Sequence, residues 1–179
     1  MKAPLRVLLA YGLASLVGAA AFVYPFWLPD GTLSTRSTDA PLIAGVVGAL
    51  AIAAVMAEIR AHTMTGADVA VLGMLSAMAG LMRLIDLPGG GSGIFLLVIL
   101  GAVALGPRRG FLLGLFSMAL SAVVTGGVGP WLPFQMLVLA WVGAALGLIG
   151  RATRRMPPTA ELAVVAVAAW ASAFLYVVL

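Results

Sequence analysis

The sequence predicts an all-α, polytopic helical membrane protein with about seven transmembrane helices. Of its 179 residues, 63% are hydrophobic and 9% are charged, against about 25% charged in an ordinary soluble domain. Apolar runs recur along the whole chain, and the short stretches between them carry nearly every charge, proline and glycine cluster. This pattern is typical of helices that cross a bilayer, where apolar side chains can face lipid on all sides.

Composition also argues against several classes of function. The chain has no cysteine, which excludes disulfides, thiolate metal sites and cysteine nucleophiles. The ten basic residues are scattered rather than clustered on one face, which argues against a nucleic-acid partner. An intramembrane enzyme is an alternative through Ser117 and Ser121, but no base accompanies them and helix packing explains them better. We therefore predict no enzymatic activity, no metal and no cofactor.

The order of the apolar segments predicts the spans. The first segment is too long for a secretory signal peptide and is interpreted as a retained helix. Segments four and five are only about 21 and 25 Å long as helices, against about 30 Å of hydrocarbon. They are either two short spans joined at Gly106 and Pro107 or a re-entrant hairpin. The predicted spans are 6–28, 41–58, 67–85, 93–106, 110–126, 131–150 and 161–179.

The distribution of basic residues predicts the orientation. With the amino terminus in the cytoplasm, Arg36 and Arg83 lie outside and the other eight basic residues lie inside, a strong positive-inside bias that favours two short spans over a hairpin. The last apolar segment reaches Leu179 without a polar flank, so we expect a shortened chain or a missing helix. The predicted cytoplasmic residues are Lys2, Arg6, Arg60, Arg108, Arg109, Arg151, Arg154 and Arg155.

Two loops on the predicted outer side are candidates for ligand binding. In RLIDLPGGGSG, Arg83 and Asp86 are three residues apart and either pair with each other or face a ligand. The glycine run that follows is typical of a mobile lid. In TGGVGPWLPFQML, aromatic rings and an amide begin the sixth span; the rings are either interfacial anchors or pocket walls. The candidates are Arg83, Asp86, Gly89, Gly90, Gly91, Trp131, Phe134 and Gln135.

Small residues four apart on the third span indicate a face that another helix can approach closely. Gly73 with Ala77 and Ser76 with Gly80 form two such pairs, and packing within the chain explains them as well as a partner does. Ala10, Ala14 and Gly18 repeat the spacing in the first span.

The connector before the third span is predicted to lie on the cytoplasmic side. It holds Glu58, Arg60 and His62, and a lone histidine in an interfacial loop is usually solvated. Thr65 is a candidate N-cap, with Asp68 in the first turn of the helix.

From about Val69 to Arg151 the chain resembles the substrate-binding S component of bacterial energy-coupling factor (ECF) vitamin transporters, in particular an actinobacterial-like subset. The resemblance rests on three successive stretches, VAVLGMLSAMAGLMRLI, LVILGAVALGPRRGFLLGLFSMALSAVVTGG and GGVGPWLPFQMLVLAWVGAALGLIG.

The resemblance implies the partners and the site. It implies a vitamin-class substrate, with cobalamin one candidate, a transmembrane coupling protein and a pair of cytoplasmic ATPases. It places the substrate pocket near the outer face, closed by the loop after the first core helix, here Arg83 to Gly93. Docking onto the coupling protein would use the positions of an Ala-xxx-Ala face, here Gly73 and Ala77, with Ser76 and Gly80 as the alternative pair.

The sequence-based expectation is therefore a substrate-capture subunit in a bacterial inner membrane, with two amino-terminal helices in 1–62 and an S-component-like core in 63–179. The family core has six helices and five are present here, so the last one is predicted to be lacking. The alternative is a structural or assembly membrane protein that packs against partner helices and binds no small molecule.

Overall fold

A computed structural model of the chain, which describes residues 4–23, 33–87 and 91–178, confirms the predicted all-helical membrane architecture. Besides the helices it contains one antiparallel ladder, in which Asp86 pairs with Ser92 and Leu87 with Gly91. The elements in chain order are α1 (Leu5–Val23), α2 (Leu33–Arg60), α3 (Gly66–Met82), β1 (Asp86–Leu87), β2 (Gly91–Ser92), α4 (Ile94–Leu105), α5 (Pro107–Thr125), α6 (Leu132–Thr153) and α7 (Pro158–Val178).

Four of these helices are long and apolar enough to cross a bilayer: α1, the 41–60 part of α2, α5 and α6. Shorter apolar helices cover 66–82, 94–105 and 158–172. Large apolar side chains on the periphery are exposed, among them Leu16, Val123 and Trp170. An exposed apolar surface of this extent is expected where the solvent is lipid.

Most helix boundaries differ by a few residues from the predicted ones, and two of the differences involve proline. α2 begins at Leu33, so its polar amino-terminal turns fall in a stretch predicted to be a loop, and Pro41 lies inside the helix. The sequence misleads here because proline usually marks a helix start. α5 begins at Pro107 rather than at residue 110, since proline at the first helical position lacks only an amide hydrogen that would have no partner there.

The centre of the fold is a backbone contact between α5 and α6. A Cβ atom added at Gly143 would collide with the backbone of Gly110, and one at Gly114 would collide with the backbone of Leu139. Small residues are the usual means by which membrane helices come this close, because lipid offers apolar side chains as good an environment as another helix does. Ten residues of α5 and twelve of α6 are buried.

α3 and α4 pack against this pair through glycines. α4 and α5 are joined at Gly106, which has a φ of 86° and marks the predicted Gly-Pro turn. Gly147 of α6 lies against that turn, and Gly150 lies against Val103 of α4. Gly80 of α3 faces the backbone of Ser121 on α5. α4 and α5 are thus two helices joined by a one-residue turn.

α1 packs against α6 by its small residues. Ala14 and Gly18 are buried, and a Cβ atom at Gly18 would lie 2.8 Å from a methyl carbon of Leu137. The indole Nε1 of Trp141 donates to the Ser15 hydroxyl at 3.3 Å. The small-residue spacing in the first span therefore serves contacts within the chain.

Replacing Gly143 by alanine is expected to lower the free energy of unfolding by about 1–3 kcal/mol, because the new methyl group meets backbone that cannot rotate away. Thermal unfolding in a mild detergent measures the change. The matched control is Gly48→Ala in α2, where a Cβ atom meets nothing within 4 Å; it should be neutral or raise stability by up to about 1 kcal/mol. Equal effects of the two substitutions would contradict the proposed role of the α5–α6 contact.

Candidate functional site

The stretch after α3 folds back on itself through the two-residue ladder. The Gly93 amide donates to the Ile85 carbonyl at 3.1 Å, and a Cβ atom at Gly93 would lie 2.7 Å from the Met82 carbonyl oxygen. Asp86 and Gly91 belong to the ladder, whereas Gly89 and Gly90 of the predicted gate lie outside the described residues. The two ends of the predicted gating loop are therefore held together at the carboxyl-terminal end of α3.

Arg83 turns towards α5. Its Nη1 lies 2.9 Å from the Met118 sulfur, in hydrogen-bonding geometry, and the side chain is half-buried. This contact joins the end of α3 to the middle of α5. The alternative, a pairing of Arg83 with Asp86, stays a prediction. The Asp86 side chain lies outside the part of the chain that the structure describes.

The start of α6 presents the other group of candidates. Trp131 is 54% exposed, and its ring lies over Gly129, where a Cβ atom would collide with it. Phe134 makes an edge-to-face contact with Phe22 of α1, with the ring centroids 5.1 Å apart. Gln135 is half-buried in the next helical position.

These two groups remain separate. Within the part of the chain that the structure describes, no hydrogen bond, ion pair or ring contact joins Arg83 to Trp131, Phe134 or Gln135. They lie at the same ends of the helix bundle, because α3 ends and α6 begins on the side opposite the Gly106 turn. The arrangement offers an aromatic and amide wall on α6 and a cationic side chain at the end of α3.

α3 presents two small-residue rows with different surroundings. Ser76 and Gly80 are buried, and Gly80 faces the backbone of α5. Gly73 and Ala77 are exposed, and a Cβ atom at Gly73 would meet nothing within 4 Å. Contacts within the chain thus occupy the alternative docking pair, Ser76 and Gly80, and leave the row of Gly73 and Ala77 open.

Buried hydroxyl groups accompany the contact between α3 and α5. The Oγ atoms of Ser76, Ser117 and Ser121 are buried and have no hydrogen-bond partner among the described residues. The Thr125 hydroxyl, in contrast, has a partner, because it donates to the Ser121 carbonyl at 2.8 Å. Buried polar atoms generally find a partner, so these serines provide polar positions inside the bundle that a water or a ligand group can use.

The opposite end of the bundle holds a polar cluster centred on Glu58, whose burial the sequence analysis did not predict. Glu58 lies in the last turn of α2 and is 2% exposed. Arg108 Nη1 lies 2.8 Å from each of its carboxylate oxygens. Tyr11 donates to the carboxylate at 3.3 Å, and the Thr63 hydroxyl also donates to it. A carboxylate this buried requires such partners, because losing hydration costs several kcal/mol or more.

The connector after α2 brings further charges to this cluster. His62 is exposed, with a φ of 53° at the turn. The predicted cap of α3 is confirmed as a capping box between Thr65 and Asp68. Asp68 pairs with Arg109 at 3.1 Å. In the described ranges, no group of three or more His, Cys, Asp or Glu side chains is placed to hold a metal ion.

A family model described as "ECF transporter, substrate-specific component" matches residues 67–179, more than half of the chain. The chain belongs to this family of ECF transporter substrate-specific components. Neither the curated proteins nor the solved structures give a significant match.

The match places the substrate-specific component from the first turn of α3 onwards, so it contains five of the described helices. α1 and α2 precede it, yet they pack into the same core. Gly18 contacts α6, and the pairing of Glu58 with Arg108 joins the end of α2 to the start of α5. Members of this family are transporter subunits, so the comparison agrees with the prediction of a membrane transport protein.

Removing one partner of the Glu58–Arg108 pair is expected to destabilise the fold. Because Glu58 is buried while Arg108 is 23% exposed, we expect Glu58→Gln and Arg108→Gln each to cost about 3 kcal/mol, the lower end for a buried ion pair. The double variant should lose less than the sum of the single variants, measured by thermal unfolding. Arg60→Gln, an exposed change in the same turn of α2, is the control. Strictly additive losses would mean that the two side chains do not interact.

Proposed function

We propose that the protein is the membrane-embedded substrate-capture subunit of an ATP-driven ECF importer for a vitamin or a vitamin-like micronutrient. The observation that carries the proposal is the family match over residues 67–179. The proposed partners are a transmembrane coupling protein and two cytoplasmic ATPases, with the bilayer as the surroundings.

The distribution of charge supports an external energy source. Proton- and ion-coupled transporters keep ionisable groups near the middle of the membrane. In the described helices, the buried carboxylate of Glu58 lies in the last turn of α2, and the arginines of α5 and α6 lie at the helix ends. The chain itself also has no nucleotide-binding sequence pattern.

The same charges support a cytoplasmic amino terminus. Arg108 and Arg109 begin α5, Arg151 and Arg154 end α6, and Glu58, which pairs with Arg108, is bonded to Tyr11 near the start of α1. This end of the bundle is the basic one, and basic residues mark the cytoplasmic side. The start of α6 and the end of α3 then face outwards.

The proposed substrate site lies at that outer end. Trp131 and Phe134 offer ring surfaces, which bury a large area at low conformational cost. Gln135 is half-buried on an otherwise apolar helix, and it supplies a donor and an acceptor to orient a ligand. Arg83 and Asp86, with the glycines 89–91, form the proposed gate.

Docking is proposed at Gly73 and Ala77. The absence of bulky side chains leaves a flat row on α3 where the backbone of a partner helix can approach. Exposed Met74 and Met78 flank that row, and flexible methionine side chains adapt to a partner surface.

Substitution of Gln135 by alanine should weaken binding of the substrate about tenfold, or about 1.4 kcal/mol, because a ligand hydrogen bond is lost. Trp131→Ala should weaken it at least as much. The measurement is equilibrium binding of a vitamin panel, cobalamin included, to the purified protein in nanodiscs. Trp170→Ala, which removes an exposed indole from α7, is the matched control. Unchanged affinity in both site variants would remove these residues from the site, and absence of binding across the panel would contradict a vitamin substrate.

Gly73→Leu and Ala77→Leu should abolish co-purification with the coupling protein and the ATPases, because a branched side chain keeps the partner backbone away. Substrate binding should be retained. Gly12→Leu is the control, since Gly12 is an exposed glycine on α1 with nothing within 4 Å of its Cβ position. Recovery of a different set of partner proteins with the parent chain would favour the structural or assembly function instead.

A further inference from the structure

The basic end of the bundle contains a polar cavity that lies apart from the proposed substrate site and docking row. Its volume is about 120 Å³, and it is lined by Glu58, Thr63, Leu105, Arg108, Arg109 and Arg151. The lining comes from the end of α2, the connector that follows it, the turn between α4 and α5, and the end of α6. Four parts of the fold that are distant or adjacent in sequence therefore meet around one polar space.

The three arginines differ in how their charge is compensated. Arg108 pairs with Glu58, and Arg109 pairs with Asp68. Arg151 is exposed and its guanidinium lies across Gly106, where a Cβ atom would be 3.0 Å from Nε. Among the described residues, no carboxylate lies within ion-pair distance of Arg151. The cavity therefore carries one positive charge that the fold leaves uncompensated.

Glu58 does not make the cavity a cation site. Its carboxylate already accepts from Arg108, Tyr11 and Thr63, so its acceptor capacity is largely used within the protein. Arginine guanidinium groups keep several donors free when paired through one nitrogen, as Arg108 is here. The unused groups that face the cavity are therefore mainly donors on positively charged side chains.

We propose that this cavity binds a phosphate group, and that in the membrane the group is the phosphodiester of an anionic lipid. Planar guanidinium groups match phosphate oxygens in geometry as well as charge. The cavity lies where α5 begins and α6 ends, at the level at which spanning helices leave the hydrocarbon and meet lipid headgroups. Basic pockets between transmembrane helices on the cytoplasmic side are known places for anionic headgroups.

The experiment measures the unfolding midpoint of the full chain in neutral detergent during titration with short-chain phosphatidylglycerol. Short-chain phosphatidylcholine and inorganic phosphate are titrated in parallel at constant ionic strength. We expect a saturable rise with phosphatidylglycerol and none with phosphatidylcholine. Saturation by inorganic phosphate as well supports recognition of the phosphate group itself, and saturation by phosphatidylglycerol alone assigns the site to lipid.

Arg151→Gln should raise the half-saturating concentration at least tenfold, and Arg151→Lys should retain part of the affinity because it keeps the charge without the fork of donors. Arg155→Gln removes the same charge from an exposed position that does not line the cavity, and it should bind like the parent. No saturable rise with phosphatidylglycerol or phosphate overturns the proposal. An equal loss in the Arg151 and Arg155 variants also overturns it, because that result indicates diffuse attraction rather than a site.

Discussion

The close approach of α5 and α6 at Gly110 and Gly143 determines where the other helices can pack. In a bilayer, apolar area alone gives little preference for another helix over lipid, so close van der Waals contact has to hold the bundle together. Backbone contact brings the helices near enough for Gly147 and Gly150 to receive α4. α3 uses α5 and α1 uses α6 in the same way, each through a glycine of its own. Bulkier residues at these positions would separate the helices and remove the surfaces on which their neighbours rest.

The antiparallel arrangement of α5 and α6 also places different polar residues at the two ends of the bundle. The end at which α5 starts and α6 finishes gathers Arg108, Arg109 and Arg151. The other end has the Trp131 to Gln135 stretch and the loop after α3. Between these ends, the side chains of the pair are apolar or small, apart from the buried serines of α5. A subunit built in this way can separate ligand recognition at one end from charge-based contacts at the other.

Local signals made much of the fold predictable, and tertiary contacts account for what was missed. The capping box of Thr65 with Asp68 and the turn at Gly106 depend on neighbours in the sequence, so both could be recognised from it. The burial of Glu58 depends on Arg108, fifty residues away, and no local pattern reveals it. A carboxylate in the last turn of an apolar helix, with a tyrosine in another span, is the only sequence signal. Sequence spacing likewise could not show which small-residue row of α3 is covered. The row of Ser76 and Gly80 is buried because α5 packs against it.

The geometry of α3 connects the open row to the outer loop. Ser76 and Gly73 are three residues apart, so the covered and open rows lie side by side, about 60° apart around the helix axis. A helix docked on Gly73 and Ala77 would therefore lie next to the contact between α3 and α5. From Ala77 to Arg83 is about 9 Å of continuous helix and its cap, and the ladder follows directly. Because a helix over this distance moves as a rigid element, a partner that displaces α3 also displaces Arg83 and both ends of the loop. The proposed docking row and the proposed gate are thus connected by a single helix.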